Sequence, residues 1–265
     1  MMDQLTKRLL SSAVLVTITL ATIFSLPRWF FFLVVEVFSL LALNEYLVLA
    51  EKKGIRVFRP GALVLGALLP FSAFFSSDGV WLMGACLCVF LIHFHPKMKE
   101  NAFLQAAVLI LGLLYIPWFF SHLIRIRDLT YGAWWVLYTV LVVKGGDAGA
   151  YFVGKKYGRR KLIEHISPHK SVEGALGQLV TTILLSLLSK IYLHDVSMKH
   201  LFFLGLIIGI LAQLGDLAES VLKRDAGVKD SGKIPGLGGL LDVLDSLLLV
   251  IPFVYYYATE VAGIQ

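Results

Sequence analysis

Residues 201–246 decide the fold class, and they read LFFLGLIIGILAQLGDLAESVLKRDAGVKDSGKIPGLGGLLDVLDS. The stretch begins with an apolar block close to the roughly 20 residues that a helix needs to cross a bilayer core. A basic, glycine-rich segment follows, and a second apolar block begins near its end. Similar blocks recur along the chain, and they are continuously apolar rather than alternating, which disfavours a β-barrel. The sequence therefore predicts an all-α, polytopic integral membrane protein.

The composition of the whole chain agrees with this prediction. Of its 265 residues, 58% are hydrophobic and only 16% are charged, whereas about a quarter are charged in a typical soluble domain. This composition excludes a disordered chain and a small disulfide scaffold. Cys86 and Cys88 lie in one apolar run, and on a helix their spacing points them to different sides. We therefore expect neither a disulfide nor a metal-binding pair from them.

Apolar blocks along the chain predict about nine membrane spans. They are Leu9–Leu26, Trp29–Ala50, Ala62–Phe75, Val80–Phe94, Ala102–Leu123, Ala133–Val153, Gly174–Leu193, Leu201–Leu222 and Gly239–Thr259. The first block has no clear small-residue cleavage site and is followed at once by another block, so we interpret it as a retained span rather than a signal peptide. We expect an N-terminal part, residues 1–132, with about five spans, and a C-terminal catalytic part, residues 133–265.

The positive charges predict the orientation of these spans. If the N-terminus is cytoplasmic, the inside segments hold eighteen lysines and arginines and the outside segments hold four. Such an excess is typical of cytoplasmic loops. The prediction is a multi-pass protein of the cell inner (cytoplasmic) membrane, with the N-terminus inside and the C-terminus outside. Residues 154–173 and 223–238 are then its main cytoplasmic loops, and we expect the active site on that face.

Five carboxylates lie at a similar predicted depth in the C-terminal part: Asp147, Asp216, Glu219, Asp242 and Asp245. Carboxylates inside a membrane are costly unless they are paired, hydrated or metal-bound. Four of them form two pairs with three-residue spacing, which places each pair on one helix face. A divalent ion relieves the repulsion between such neighbours, and ligands with oxygen atoms alone favour Mg²⁺. In the alternative interpretation these acids merely pair with Lys144, Lys223 or Arg224 and join helices together.

The segment between the last two predicted spans combines cations with glycine. Lys223, Arg224 and Lys229 can contact phosphate oxygens, and Gly238–Gly239 precede a helix N-terminus suited to an anion. This combination predicts phosphoryl-transfer chemistry at the membrane surface. In the second predicted span, Glu36 and Glu45 are nine residues apart and face opposite sides of the helix, where hydrogen bonding between helices and a functional role are equally plausible.

Residues 220–245 resemble the signature of the phosphatidate cytidylyltransferase (CDP-diacylglycerol synthase) family. The match includes SVLKR at 220–224, KD at 229–230, and PG, GG, D and D at the corresponding later positions. Leu237 stands where the family usually has His, Val243 where it has Arg, and the loop before Ile234 is one residue shorter. Upstream, KGGDAGAYFVGKKYGRRKL at 144–162 and SPHKSVEGALGQ at 167–178 are similar to two further blocks of that family.

The resemblance implies transfer of CMP from CTP to phosphatidate, which gives CDP-diacylglycerol and pyrophosphate in phospholipid biosynthesis. It implies Mg²⁺ as cofactor, with room for a second cation such as K⁺. We expect Asp216, Asp242 and Asp245 to bind the metal, with Asp147 or Glu219 completing the site. The expected catalytic residues are these three aspartates, Asp216, Asp242 and Asp245, together with Lys223. The expected substrate-binding residues are Ser167, Lys170, Ser171, Glu173, Arg224, Lys229, Asp230, Gly238 and Gly239. The expected partners are CTP, phosphatidate, membrane lipids and a second copy in a homodimer, without nucleic acid.

Two other functions are compatible with parts of this pattern. The same scaffold can act on an ether-lipid or prenyl-lipid phosphate, and the sequence does not separate that substrate from phosphatidate. A cation-coupled transporter also places acids in the membrane, but it predicts inverted repeats and acids near mid-bilayer. The sequence shows no such repeat, and its acids gather beside phosphate-type loops. A membrane scaffold without catalytic activity needs no such order of acids, cations and glycines.

Overall fold

The computed structural model describes residues 16–75, 78–94, 101–234 and 238–264. These residues are mostly helical, and they include one short β-hairpin. They form two compact units, each built from two separate stretches of the chain. The first unit comprises the described part of Met1–Arg125 with Leu222–Leu244, and the second comprises Ile126–Val221 with the described part of Asp245–Gln265.

The first unit begins with helices that follow one another along the chain. They are α1 (16–24), α2 (Arg28–Lys52), α3 (Arg59–Leu68, continued by a 3₁₀ turn), α4 (Asp78–His93) and α5 (Ala102–Leu113). A π-helical turn, Leu114–Trp118, connects α5 to α6 (Phe119–Asp128). Pro117 lies inside this turn. Because proline has no backbone N–H and its ring crowds the preceding turn, the helix widens there instead of continuing regularly.

Side chains of α2 and α5 form part of the core of the first unit. Leu43 and Leu109 are almost fully buried. The hydroxyl of Tyr46 donates a hydrogen bond to the carbonyl oxygen of Val108 at 3.0 Å. Gly112 contacts the Tyr46 ring so closely that a Cβ atom there would lie 2.5 Å from a ring carbon. A small residue at this position therefore allows the two helices to approach each other.

The second unit contains the long helices of the C-terminal half and the hairpin. In chain order these are α7 (Gly132–Tyr157), β1 (Lys161–Ile163), β2 (Ser167–Ser171), α8 (Val172–Leu188, continued by a 3₁₀ turn to Ile191) and α9 (Met198–Asp225). They are followed by α10 (Leu240–Leu248) and α11 (Val250–Tyr256). The division between the two units passes through α6, α9 and α10.

Close packing and buried hydrogen bonds hold α7, α8 and α9 together. Gly177 of α8 lies against Val153 of α7, where a Cβ on the glycine would be 2.6 Å from the Cβ of the valine. The buried hydroxyls of Tyr138 and Ser186 are 2.7 Å apart, and Ser186 donates to the carbonyl oxygen of Leu201 at 2.5 Å. Small residues and hydroxyl groups of this kind are typical of contacts between membrane helices.

Within the part of the chain that the structure describes, six helices are long and apolar enough to cross a membrane. They are Arg28–Lys52, Ala102–Asp128, Gly132–Tyr157, Val172–Ile191, Met198–Asp225 and Leu240–Val261. Each overlaps one of the nine predicted spans, so the prediction of a helical, multi-pass membrane protein is confirmed. Two more predicted spans correspond to shorter apolar helices, Arg59–Phe74 and Gly79–His93. The first predicted span, Leu9–Leu26, lies partly outside the described residues.

The predicted cytoplasmic loops contain more regular structure than expected. In residues 154–173, α7 continues to Tyr157, and the hairpin of β1 and β2 follows, with Lys161 opposite Ser171. In residues 223–238, α9 continues to Asp225, so Lys223 and Arg224 lie in its last turn. Hydropathy places the end of a helix at its last apolar residue, whereas basic residues favour the C-terminal turn through the helix dipole.

Candidate active site

The second unit contains a partly open cavity of about 640 Å³ formed by residues of α7, the hairpin, α8 and α9. This volume lies within the range of small-molecule binding sites. Its polar or aromatic lining residues are Asp147, Tyr151, Lys155, Ser167, His169, Lys170, Ser171, Gln178, Gln213 and Asp216. The lining thus combines cations and hydroxyls with two carboxylates, groups that can bind phosphate and a hard cation.

The hairpin is attached to the helices on either side by local hydrogen bonds. Ser171 is the N-cap residue of α8, and its hydroxyl accepts a hydrogen bond from the N–H of Gly174 at 3.1 Å. The Glu173 carboxylate accepts from the backbone N–H groups of Arg159 and Arg160 at 3.0 and 3.2 Å. Serine and acidic residues are favoured at these positions because the first N–H groups of a helix lack partners inside it. Two predicted substrate-binding residues therefore also shape the edge of the cavity.

Lys170 and Asp216 form an ion pair that joins β2 to α9. The lysine Nζ lies 2.7 Å from the aspartate Oδ1, and the side chains remain about a quarter and a third exposed, at 26% and 37%. Both side chains line the cavity. The sequence predicts Lys170 as a phosphate-binding cation and Asp216 as a metal ligand. The structure therefore brings a predicted phosphate-binding residue and a predicted metal ligand into contact.

The Asp147 carboxylate is surrounded by hydrogen-bond donors of the second unit. One oxygen accepts from Lys144 at 3.1 Å and from the hydroxyl of Ser246 at 2.9 Å. The other accepts from the side-chain amide of Gln178 at 3.2 Å. Lys144 also donates to the Ser246 hydroxyl at 2.8 Å. Asp147 therefore joins α7, α8 and α10, as the alternative interpretation of the acids expects for pairing with Lys144.

Among the predicted site acids of the second unit, Glu219 and Asp245 are both buried. Asp245 has several charged neighbours. Its acidic neighbours are Asp216, Glu219 and Asp147, and its cationic neighbour is Lys144. Such a set carries excess negative charge, which a bound cation relieves. These carboxylate oxygens are therefore suitable ligands for Mg²⁺. Among the described residues, no three His, Cys, Asp or Glu side chains lie close enough together to form a metal-binding group.

In the first unit, Asp242 forms hydrogen bonds within the glycine-rich segment between α9 and α10, of which the structure describes residues 226–234 and 238–239. The Asp242 carboxylate, with a side chain only 11% exposed, forms an ion pair with Lys223. It accepts further hydrogen bonds from the N–H and hydroxyl of Ser231, both at 2.8 Å, and from the N–H of Gly239 at 2.6 Å. Gly238 has φ +85°, a left-handed conformation that glycine adopts without strain. Asp242 and Lys223 therefore hold the end of α9 and the start of α10 together.

Three other predicted substrate-binding residues of the first unit are exposed: Arg224, Lys229 and Asp230. Arg224 donates to the carbonyl oxygen of Val228 at 3.3 Å. Arg224 and Lys229 carry the positive charge that attracts an anionic ligand, whereas Asp230 carries a negative charge. The predicted role of all three in binding CTP stays a prediction.

Several residues of these sites are absent from the set that the sequence predicts. Tyr151, Lys155, Gln178 and Gln213 line the cavity, and Glu45 of α2 accepts hydrogen bonds at the start of α10. Glutamine and glutamate are unusual inside apolar spans, because an unpaired polar group there is costly. That signal marks Gln178, Gln213 and Glu45 in the sequence, but it does not indicate their partners.

Comparison with known proteins identifies the family. The family model described as "Cytidylyltransferase family" matches residues 6–260, which is nearly the whole chain. The protein belongs to the cytidylyltransferase family. The membership that the sequence motifs indicate is thereby confirmed, over the N-terminal half as well as the C-terminal half.

Named relatives are similar over most of their length. The phosphatidate cytidylyltransferase of Bacillus subtilis is 40% identical over 71% of this chain and 73% of its own. The phosphatidate cytidylyltransferase of Synechocystis is 34% identical over 95% of this chain and 96% of its own. That of Staphylococcus saprophyticus is 33% identical over 81% and 84%. The three relatives thus match between 71% and 95% of this chain.

Proposed function

We propose that this protein transfers CMP from CTP to phosphatidate, forming CDP-diacylglycerol and releasing pyrophosphate. One observation carries the proposal: a chain of the cytidylyltransferase family, with six helices apolar enough to span a membrane, has a cavity lined by Lys155, Lys170 and Asp216. The relatives named phosphatidate cytidylyltransferase support the choice of lipid.

In the proposed reaction, a phosphate oxygen of phosphatidate attacks the α-phosphorus of CTP. A new phosphorus–oxygen bond forms, and the bond from the α-phosphorus to the oxygen shared with the β-phosphate breaks, so pyrophosphate leaves with that oxygen. The lipid phosphate is already an anion, and no strong general base is needed. The main obstacle is repulsion between two anions, which positioned cations reduce. Lys170 and Lys155 are placed to do so from the cavity wall.

The other residues of the second unit have supporting roles in this proposal. Ser167 and Ser171 both line the cavity, and their hydroxyls are proposed to donate hydrogen bonds to phosphate oxygens. Glu173, in the first turn of α8, holds the segment between α7 and β1 through its bonds to the N–H groups of Arg159 and Arg160. In the first unit, Arg224 at the end of α9 and Lys229 beyond it are proposed to bind CTP phosphates with their exposed side chains. Lys223 joins the end of α9 to the start of α10 through Asp242.

Mg²⁺ remains part of the proposal, and we assign it first to Asp216 and Asp245. Both are carboxylates of one unit and repel each other electrostatically, while Glu219 and Asp147 are the nearby acids that complete or orient the site. When bound, the ion supplies charge neutralisation at the α-phosphate and the leaving group. Asp242, with its oxygens already accepting hydrogen bonds, is proposed to act through the loop. A second cation such as K⁺ is proposed from the family resemblance.

The finer membrane arrangement also belongs to the proposal. We propose nine spans in the cytoplasmic membrane, with the N-terminus inside, the C-terminus outside and the active site facing the cytoplasm. The eighteen lysines and arginines of the inside segments support this orientation. A homodimer is proposed from the family resemblance alone.

The decisive experiment measures pyrophosphate release from CTP by the purified full-length protein in detergent micelles. We expect release that requires both Mg²⁺ and phosphatidate and that is matched by the appearance of CDP-diacylglycerol. Parallel reactions with an ether-lipid phosphate and a prenyl phosphate test the alternative substrates. Faster release with either of these lipids than with phosphatidate would refute the proposed acceptor, and absence of release with every lipid would refute CMP transfer.

A further inference from the structure

The start of α10 needs hydrogen-bond acceptors that its own sequence provides only in part. The first N–H groups of a helix have no partner inside the helix and usually bond to a Ser, Thr, Asp or Asn at the N-cap. Here the residue before α10 is Gly239, which has no side chain to accept them. The Asp242 carboxylate reaches back to the N–H of Gly239 at 2.6 Å, as in a capping box. The N–H groups of Leu240 and Leu241 still need acceptors.

Glu45 of α2 supplies those acceptors from a distant part of the sequence. One of its oxygens accepts from the N–H of Leu240 at 3.0 Å, and the other accepts from the N–H of Leu241 at 2.8 Å. A carboxylate at this position also interacts favourably with the positive end of the helix dipole. Because all three residues belong to the first unit, this is a cap within one compact body.

Ser231 connects the two capping carboxylates. Its hydroxyl oxygen is 2.8 Å from an oxygen of Glu45 and 2.8 Å from an oxygen of Asp242, and the residue is only 5% exposed. Gly239 contacts the Ser231 hydroxyl and the Glu45 carboxylate so closely that a Cβ atom on it would overlap both. The contact therefore requires glycine at this position and brings α2, the glycine-rich segment and α10 together.

We propose that Glu45 is a positioning residue of the described part of the glycine-rich segment, residues 226–234 and 238–239. It does not contact the reacting atoms, but it fixes the N-terminus of α10 and the position of Asp242, and through the Lys223 ion pair the end of α9. Its relevance to catalysis rests on the proposed function, in which Lys229 of this segment binds CTP. The expected consequence of losing Glu45 is a poorly positioned phosphate-binding segment in a protein that still folds.

Hydrogen exchange of the purified full-length protein tests the cap without requiring activity. In Glu45→Gln one of the two carboxylate acceptors is replaced by an amide donor, and we expect the peptide covering residues 238–248 to exchange at least about tenfold faster than in wild type. Peptides of α7 and α8 should be unchanged. Glu51→Gln is the matched control, because it removes the same charge from the same helix, where Glu51 pairs only loosely with Arg59 at 3.6 Å. Equal exchange in wild type and Glu45→Gln would overturn the proposal.

Kinetics of the same variants test the link to catalysis. For Glu45→Gln we expect the KM for CTP to rise about tenfold with less than about a threefold change in the KM for the lipid. Glu45→Asp keeps the charge and should recover part of the loss. A Glu45→Gln protein with wild-type KM for CTP, whatever its yield of folded protein, would overturn the positioning role. If wild type itself transfers no CMP, the proposed function fails, and the exchange experiment still decides the cap.

Discussion

Lys170 of β2 and Asp216 of α9 both line the cavity of the second unit and neutralise each other at 2.7 Å. A pair that is partly exposed contributes little to stability, typically about 0–1 kcal/mol. Its position in the cavity is therefore better explained by ligand binding than by stability. When an anionic substrate enters, the lysine can turn from the aspartate to a phosphate, and the aspartate becomes available to a cation.

The substitution Lys170→Gln tests this exchange of partners. We expect the KM for CTP to rise about tenfold or more, because one charged contact with a phosphate is lost, while the thermal unfolding temperature changes little. Initial rates over a range of CTP concentrations give the result. Lys156→Gln is the control, since Lys156 is an exposed cation at the end of α7 that does not line the cavity. Equal effects of the two substitutions would contradict the proposed role.

A substitution of Asp245 is expected to lower the activity of the protein without lowering its stability. The carboxylates of Asp216, Glu219 and Asp147 are the acidic neighbours of Asp245, so Asp245→Asn removes repulsion between like charges while keeping the size of the side chain. We expect CMP transfer to fall at least about a hundredfold with an unfolding temperature equal to or above that of wild type. Pyrophosphate release at saturating Mg²⁺ and thermal unfolding in detergent are the measurements. A rate near wild type under those conditions would show that the metal assignment is wrong.

At the scale of helices and strands, hydropathy predicts where a helix lies along the sequence better than it predicts which residues that helix contacts. The block Leu201–Leu222 predicts a helix that the structure extends to Met198–Asp225, because polar ends of a helix do not register as apolar. The hairpin of β1 and β2 is missed, since strands of three and five residues, KLI and SPHKS, are too short to show an alternating apolar pattern. Capping by Glu45 is missed as well, because its partners are about 195 residues away and the sequence holds no local signal of that distance.

The interface of α7 and α8 gives a prediction about packing. Gly177→Ala places a methyl group against Val153, where the Cβ atoms would be 2.6 Å apart. Since both positions belong to packed helices, we expect destabilisation of about 1–3 kcal/mol, measured as a lower unfolding temperature in detergent. The matched control is Gly84→Ala in α4, where nothing lies within 4 Å of an added Cβ. A Gly177→Ala protein as stable as the control variant would contradict the close packing.

For the whole molecule, the charge of the connecting segments is the basis of the proposed orientation. The apolar helix Val172–Ile191 separates two exposed positions, His165 before it and Asp195 after it. A helix of 20 residues is about 30 Å long, which matches the hydrocarbon core of a bilayer. The two positions should therefore lie on opposite sides of the membrane, and the proposed orientation, based on the excess of basic residues, predicts His165 in the cytoplasm.

Labelling with a membrane-impermeant thiol reagent tests both statements. In a background with Cys86 and Cys88 replaced by serine, His165→Cys should be labelled only after cells are lysed, because the reagent cannot reach the cytoplasm. Asp195→Cys should be labelled in intact cells. Labelling of both positions from the same side would show that Val172–Ile191 does not cross the membrane. The reverse pattern would agree with the span but contradict the proposed orientation. In that case the cavity would not face the cytoplasm, from which CTP is expected to enter.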